Sequence, residues 1–428
     1  MKNFTILLAI MLTVKLVSAQ WIQQNTGYPT NNHNLSDIMF VDQFHGWCVG
    51  TEENYGTIDG GNTWESMPNL PHNTNYWVYN SVFFIDQYNG WVSGNYGIYH
   101  TNNGGIGSLG TWEEQLHYPG PHFLTNKLLF SDTLNGWLAC SVDFLGNYKA
   151  EIYKTEDGGL SWIQKFDGFL YGCFLNDIVF SDDLNGWAVG NKIVHSSDGG
   201  ETWDTISNYP HDYYFSLRIT SICFVDSLTG WTVGHTELLP ENYSLIYHTS
   251  DGGDNWTIQG DTIKDYFLND ITFTDINNGW AVGTNGKIIH TSDGGQNWVP
   301  QESGVSTNLR SVCFIDENFG WICGDSLIVL YTENGGIVGL NDHSSIPGKL
   351  TIFPNPSKAT TKISYELRMK EQATISIRNI SGQLLRRIQA GNNKVGIYEL
   401  NSTEFATGIY FITLITDTGI LTEKLIIE

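Results

Sequence analysis

The stretch LNDITFTDINNGWAVGTNGKIIHTSDGGQNWVPQ, residues 268–301, decides the reading of this chain, because six other segments are imperfect copies of it. Its landmarks are an apolar strand ending in Phe-x-Asp, a Gly-Trp four residues after the Asp begins the turn, a short apolar strand, and a Gly-Gly turn leading to a second Trp. The spacing from Asp to Gly-Trp never varies: Asp42/Gly46/Trp47, Asp86/Gly90/Trp91, Asp132/Gly136/Trp137, Asp182/Gly186/Trp187, Asp226/Gly230/Trp231, Asp275/Gly279/Trp280 and Asp316/Gly320/Trp321. Successive Trp residues lie 44, 46, 50, 44, 49 and 41 positions apart, the length of a four-stranded propeller blade. A unit that cannot bury both its faces alone must stack on copies of itself.

Each landmark has an expected task. The Asp closes the first strand by accepting N–H groups of its own turn, and the Gly is expected to supply the positive φ of a short hairpin loop. The Trp fills the space between blades, in the same way in every copy. Fourteen of the fifteen Trp residues fit this scheme, seven after Gly and seven at Trp21, Trp64, Trp112, Trp162, Trp203, Trp256 and Trp298; Trp77 stands outside it. The seventh copy has no Trp strand after Gly336, whereas Gln20-Trp21-Ile22-Gln23-Gln24 reads like that missing strand. The N-terminal segment is therefore expected to close the last blade, which removes exposed sheet edges. The fold class is all-β, a seven-bladed β-propeller.

The flanks differ from the ring. Residues 1–19 read as a secretory signal peptide, with Lys2, an apolar run from Phe4 to Leu12 and Val17-Ser18-Ala19 before the cut. That run is too short to span a membrane, and no transmembrane segment is expected elsewhere. The blades occupy 20–339, a polar linker 340–348, and the region 349–428 switches to paired β-runs around Ser-Gly and Asp-Thr-Gly turns, a small Ig-like β-sandwich. Charge marks the same boundary: nine Lys+Arg against 37 Asp+Glu in the ring, ten against eight after residue 339. So acidic a ring repels phosphate backbones, and nucleic acid is not an expected partner. Six Cys in an exported chain are free to pair; Cys313 and Cys323 flank one turn and are candidates to face each other, the alternative being small buried side chains. No Cys-x-x-Cys metal pattern occurs, and no cofactor is called for.

The Gly-Gly turns resemble the Asp-box of bacterial neuraminidase (BNR) repeats. Ser196-x-Asp198-x-Gly200-x-Thr202-Trp203 matches fully, and boxes built on Asp59, Asp157, Asp251 and Asp293 match nearly, with Asn103 and Asn334 in the second and seventh copies. The box is an architectural turn. The full repeat resembles the propeller of the photosystem II stability and assembly factor family over about residues 20–339, which implies a seven-bladed, non-enzymatic binding propeller. That family's arginine-rich patch does not carry over, because Arg218 and Arg310 are the only Arg in the ring. The same scarcity disfavours a sialidase, which needs three arginines on a substrate carboxylate. Asp-box glycosidases that act on neutral glycans through two carboxylates remain the alternative. Convergent carboxylates in a central pocket, one with a raised pKa, would favour that alternative; a shallow aromatic face would favour binding.

The connections between blades carry Tyr76, Trp77, Tyr118, His122, His211, Tyr213, Tyr214 and Tyr266 on the face opposite the boxes, together with Arg218 and Arg310. These are the candidate ligand-binding residues, suited to a glycan or protein ligand; the competing use is to cap the blade tops. His33, His72, His117 and His235 share that face, where zinc would need three or four imidazoles or thiolates to converge. His100, His195, His248 and His290 recur at one strand position and are structural. The tail, with Ile352-Phe353-Pro354-Asn355-Pro356, Ile380-Ser381-Gly382-Gln383, Ala406-Thr407-Gly408-Ile409-Tyr410-Phe411 and Lys424-Leu425-Ile426-Ile427, resembles the type A C-terminal sorting domain of the type IX secretion system found in Bacteroidetes. This resemblance implies that residues 349–428 engage the secretion machinery and that the protein is secreted or held at the outer-membrane surface after passage through the periplasm. The expected function is an extracellular binding or scaffold propeller, the alternative a glycan-active hydrolase.

Overall fold

The computed structural model describes residues 21–27, 33–51, 53–68, 70, 78–95, 97–117, 123–144, 147–168, 173–206, 217–238, 241–264, 266–336, 348–367, 372–379, 384–416 and 420–427. These residues form β-strands and short 3-10 turns, and among them there is no α-helix. The chain divides into two compact units, one built from Ala19–Ile337 and one holding Val338–Glu428.

The first unit is seven antiparallel four-stranded sheets. Their innermost strands are Leu35–Phe40, Tyr79–Phe84, Phe123–Phe130, Leu175–Phe180, Leu217–Phe224, Leu268–Phe273 and Leu309–Phe314. Each packs on the next, and the last packs back on the first, so the ring is closed. Ile22–Gln24 is the outer strand of the seventh blade, with Ile22 opposite Tyr331 and Gln24 opposite Val329. The N-terminal segment thus closes the ring as its Trp-containing pattern predicts.

One aromatic arrangement recurs around the ring. The Phe that ends each innermost strand meets the second Trp of its own blade edge-on in all seven blades. At five junctions it also lies flat against the Gly-Trp indole of the preceding blade. Phe84 stacks on Trp47 at 3.5 Å and 5°, with Trp112 at 6.0 Å and 87°; Phe273 stacks on Trp231 at 3.6 Å, with Trp298 at 5.8 Å and 90°. At the closing junctions Phe40 stacks on Trp321 at 3.7 Å, and Phe314 stacks on Trp280 with Trp21 edge-on at 5.8 Å and 89°. Trp21 therefore performs the task that Trp298 performs in the sixth blade. Each indole buries apolar area and gains about 0.5–1.5 kcal/mol from ring geometry in addition.

Trp137 and Trp187 correct the expectation that all seven Gly-Trp indoles are used alike. Both are buried between blades, but Trp137 meets Phe180 tilted by 35° at 4.2 Å, and Trp187 lies 6.2 Å from Phe224. Other side chains pack on these two indoles. Opposite Trp137 stands Lys154 where the second, fourth, fifth and sixth blades have His. The Lys154 ammonium lies 5.8 Å over the indole and reaches Glu201 in the box of the next blade, a cation–π contact in place of a ring-on-ring one. Opposite Trp187 the His195 imidazole stacks at 4.1 Å, closer than the Phe. The buried indole N–H groups of Trp137 and Trp187 also lack a hydrogen-bond acceptor.

The Gly before each Trp has a different cause from the one expected. None of Gly46, Gly90, Gly136, Gly186, Gly230, Gly279 and Gly320 is among the residues with positive φ. A Cβ on Gly279 would instead lie 2.5 Å from the Phe273 ring, and one on Gly320 2.3 Å from that of Phe314. The glycine makes room for the Phe that ends the preceding strand. Positive φ belongs to the box glycines, such as Gly294 at 72° and Gly295 at 85°. The Asp reading holds: Asp42 Oδ1 accepts the N–H groups of Phe44 and His45 at 2.7 and 2.8 Å. In the boxes Asp198 accepts both the N–H and the hydroxyl of Thr202, at 2.9 and 2.7 Å, and Asn103 and Asn334 also cap their turns.

Burial explains the remaining pattern residues. His100, His195 and His290 lie against Trp91, Trp187 and Trp280 at 4.8, 4.1 and 4.8 Å, and burial lowers their basicity. The six cysteines are unpaired. Cys313 and Cys323 do not face each other, because the strand register places them opposite Trp321 and Ser311. Cys48 and Cys323 pack in one apolar cluster, and burial pushes both thiols well above their ordinary range.

The second unit has a three-stranded sheet, Gly348–Phe353, Thr360–Leu367 and Val395–Asn401, and a four-stranded sheet ordered Leu384–Asn392, Gln372–Asn379, Gly408–Thr416 and Ile420–Ile427. Alternate side chains of the two sheets, among them Ile363, Tyr365, Ile375, Ile377, Ile412, Leu414 and Leu425, share one core. This is a small β-sandwich.

Trp21→Ala should cost about 3–5 kcal/mol of stability in a urea titration, the range for deleting a buried Trp. Trp21→Phe, which loses only the indole N–H bond to Gln301 at 2.9 Å and part of the ring, should cost much less.

Candidate functional site: the polar belt of the channel

The seven innermost strands each carry a pair of adjacent polar residues at the same place in a mostly apolar run: Ser36-Asp37, Asn80-Ser81, Asn126-Lys127, Asn176-Asp177, Thr220-Ser221, Asn269-Asp270 and Arg310-Ser311. A β-bulge interrupts every one of these strands at the first member of the pair. The extra residue leaves the ladder, and all of these residues except Ser81 line the channel cavity.

The first members form an upper ring. Asn80 donates to the carbonyl of Thr125 at 2.9 Å, Asn176 to Ile219 at 2.6 Å, Thr220 to Leu268 at 2.9 Å and Asn269 to Leu309 at 2.6 Å; Asn126 likewise donates to Leu175. Each bond runs from one blade to the next. Arg310 departs from the pattern, its Nε donating to Asp325.

The second members form a belt below. Asp37 accepts the N–H of Ile38 in its own blade and that of Val82 in the next, at 3.1 and 3.0 Å. Asp177 takes Ile178 and Ile222 at 2.9 Å each, and Asp270 takes Ile271 and Val312 at 2.9 and 2.8 Å. Ser81 does the same for Leu128 at 3.1 Å. Each carboxylate is thus a clamp between two blades.

Lys127 reaches across the channel to Asp37, with Nζ 3.1 and 3.0 Å from the two oxygens. Burial works against its charge, but Asp37, Asp177 and Asp270 outweigh burial and hold the amine above its ordinary value. One lysine faces three carboxylates, and the imbalance falls on the other two. Burial pushes Asp177 up to about 6, opposed by Lys127 and reinforced by Asp270, and burial also raises Asp270. The hydroxyl of Ser221 lies 2.9 Å from Asp177 Oδ2 and 2.7 Å from Asp270 Oδ1. A hydroxyl has one hydrogen, so a proton on one of the two carboxyls completes both bonds.

The space around the belt is small. A cavity of about 100 Å³ lies among the two polar rings, and one of about 250 Å³ extends past Met39, Phe83, Leu129 and Val179. Both fall under the ~300 Å³ at which small-molecule sites begin. Among the described residues no three His, Cys, Asp or Glu are arranged to hold a metal ion.

Of the residues named from sequence, Arg310 is the one that the described residues place at this belt. Tyr76, Trp77, Tyr118, His122, His211, Tyr213 and Tyr214 fall outside the described residues. Arg218 sits over the Phe174 ring at 4.6 Å, Tyr266 lies under Lys287 at 4.7 Å, and Arg310 pairs with Asp325. These three each contact a different neighbour and do not form a cluster with one another. Of the minor histidine candidates, His117 is exposed and bonded to Glu114, and His235 is packed on Phe267. Asp37, Lys127, Asp177 and Asp270 were not singled out. Their signal is in the sequence: two adjacent polar residues at one place in every copy of a mostly apolar strand.

The geometry defines an Asp-box propeller whose channel is lined by polar clamps that join adjacent blades. The chain belongs to the photosynthesis system II assembly factor YCF48 family, whose model matches residues 14–169, 172–262 and 258–350. Residues 351–428 match the secretion system C-terminal sorting domain, which marks the chain for export through the type IX machinery. Similar solved structures include YCF48 bound to D1 peptide, at 22% identity and TM-score 0.54 over 74% of this chain and 97% of that one. YCF48 from Cyanidioschyzon merolae is 21% identical with TM-score 0.52 over 74% and 99%. An ancestral GH74 enzyme is 12% identical with TM-score 0.56 over 94% and 63%. At these identities the likeness is one of fold. No curated protein matches the chain.

Lys127→Met should destabilise the protein by about 3–5 kcal/mol, the cost of stranding a buried partner charge; chemical denaturation at neutral pH measures it, and Asp37→Asn in the same chain should recover part of the loss. A pH series isolates Asp177. Its folded pKa of about 6 exceeds the unfolded value of about 3.9, so the folded state binds the extra proton. Wild type should therefore gain stability relative to Asp177→Asn as pH falls from 7 through 6 toward 4.

Proposed function

We propose that this chain is an exported, non-catalytic binding propeller that takes a protein or glycan ligand on the face formed by the blade-to-blade connections. The observation that carries the reading is the use of the channel carboxylates: all three are engaged by backbone N–H groups of two adjacent blades. Groups held this way have a structural task, and the cavities beside them, about 100 and 250 Å³, are below the usual size of a small-molecule site, ~300 Å³ and up. A peptide-bound YCF48 of the same fold supports a polypeptide as the first ligand class to test. Tyr76, Trp77, Tyr118, His122, His211, Tyr213, Tyr214, Arg218, Tyr266 and Arg310 are the proposed contact residues.

The second reading, a glycan-active hydrolase, rests on one observation. Asp177 and Asp270 share a hydroxyl and burial raises both, so a single proton held by the pair would leave one carboxyl as acid and the other as carboxylate, the two roles a glycosidase needs. Processing completes the proposal: residues 1–19 leave as a signal peptide, 20–339 remain as the functional propeller, and 349–428 are removed near the linker 340–348.

A glycan and peptide array read for both retained ligand and released reducing sugar separates the two readings. Retention without release, lost in Trp77→Ala, is the expected result. Release that disappears in Asp177→Asn would replace binding by hydrolysis.

A further inference from the structure

The turns between the first and second strands of each blade have a position whose backbone is fully used and whose side chain is not. It is the second residue after the Asp. Its N–H goes to that Asp, at 2.7 Å for Phe44, Tyr88 and Leu134 and 2.8 Å for Leu184 and Leu228. Its carbonyl accepts the first box glycine of the same blade, at 2.9, 2.8, 2.8, 2.9 and 2.8 Å in the same order. These bonds put the turns and the Asp-boxes on one face and leave the side chain pointing outward.

The scaffold does not ask for an apolar residue there. Asn277 and Asn318 fill the position in the sixth and seventh blades with the same two bonds, 2.7 and 2.8 Å to the Asp and 2.9 and 2.8 Å from the glycine. Yet five consecutive blades carry Phe44, Tyr88, Leu134, Leu184 and Leu228, which are 49, 54, 54, 57 and 56% exposed. Large apolar side chains thus recur in solvent at one place in blade after blade, where Asn makes the same backbone bonds.

The charge around them restricts what can make that contact. The seven turns and seven boxes contain eighteen Asp or Glu and no Lys or Arg. Asp132 and Asp182 are held below the ordinary carboxylate range, first by the side-chain amides of Asn135 and Asn185 and then by turn N–H groups. The two lysines that reach this side, Lys154 and Lys165, are both bound to Glu201 at 2.5 and 2.6 Å. An anionic lipid surface and a second copy of the same face are both repelled by such a ground.

We propose that the Asp-box face is a second docking surface, for a protein partner that presents apolar side chains framed by Lys and Arg. It lies opposite the blade-to-blade connections and stands independently of what they bind. Phe44, Tyr88, Leu134, Leu184 and Leu228 supply the apolar contact, and the surrounding carboxylates select the basic frame.

The test uses the full chain and a synthetic peptide alternating leucine with lysine, beside one alternating leucine with glutamate, both followed by fluorescence anisotropy. The variant replaces all five positions by Asn, as the sixth and seventh blades already have, so that every acidic residue stays. The lysine peptide should bind wild type and bind the Asn variant at least about tenfold more weakly, while the glutamate peptide binds neither. Equal lysine-peptide binding to both proteins would show that charge alone acts and would overturn the proposal. So would binding of the glutamate peptide, binding of neither, attachment to phosphatidylglycerol vesicles that the Asn variant loses, or wild-type self-association in sedimentation that the variant abolishes. If the fivefold variant melts early, the pair Leu184→Asn and Leu228→Asn gives the same comparison with a smaller expected loss.

Discussion

The packing of a strand-end Phe on the preceding blade's indole is the contact on which the ring depends. A four-stranded sheet has two faces to bury and no helix to cover them, so each blade is stable only against its neighbours. The Phe–Trp pair sets how closely two blades approach. It also dictates other residues: the Gly before the Trp has no Cβ because the Phe ring occupies that space, and the second Trp closes the Phe edge. At the five flat junctions the indole N–H then bonds to the box of the following blade, as Trp47 does to Gly104 at 2.8 Å and Trp280 to Gly335 at 2.9 Å. Trp137 and Trp187 forgo both the flat stack and that bond; Lys154 lies over the first indole, and His195 stacks on the second. Trp21 inherits the constraint on the second Trp, which is why a segment far away in sequence has to return to the seventh blade.

At the channel the same joining problem is solved with polar groups. The bulged strands leave backbone N–H groups without ladder partners, and a short carboxylate or hydroxyl from the adjacent blade satisfies them. Serine does this without charge. Where Asp does it, the buried negative charge needs compensation, and Lys127 provides it for Asp37 directly. Two carboxylates with one serine between them remain, and they hold a proton more readily than free aspartates do. The same carboxylates that join the blades thus also form the raised pair in the channel, and structural ion-pair networks perturb pKa values as active sites do.

The scaffold repeats, so individuality lies where the copies differ. The third and fifth blades have second and third strands of nine residues, Gly136–Phe144 with Asn147–Thr155 and Gly230–Leu238 with Glu241–Thr249, where the first blade has Gly46–Gly50 and Tyr55–Thr57. These extensions rise on the side away from the boxes. The box side is nearly uniform in backbone apart from the 3-10 turn Gly107–Leu109 in the second blade, and its turn-tip side chains and acidity vary. Six cysteines in an exported chain stay unpaired because the pleat places them among apolar side chains rather than opposite one another.

Much of this was legible from residue order alone. The count of seven blades, the Asp-capped turns, the boxes, the closing strand at Trp21 and the sandwich at the end all follow from repeated local patterns, because turn chemistry and alternate burial are short-range properties. The channel belt was not found, although its residues stand at one place in every copy: Asp37, Lys127, Asp177 and Asp270 are separated by dozens of positions, and only ring closure brings them together. The identical Gly-Trp spacing likewise hid the tilt at Trp137, where Lys154 from across the strand pair lies over the indole and reaches Glu201 in the next blade. The reason for the Gly before each Trp is a ring from the same hairpin folding back over it, which spacing could not distinguish from a positive φ. Sequence by itself determined how each blade folds, through local hydrogen bonds and periodic burial; tertiary structure decided which polar groups share a low-dielectric channel and which apolar ones stay in solvent, because both depend on distances between blades.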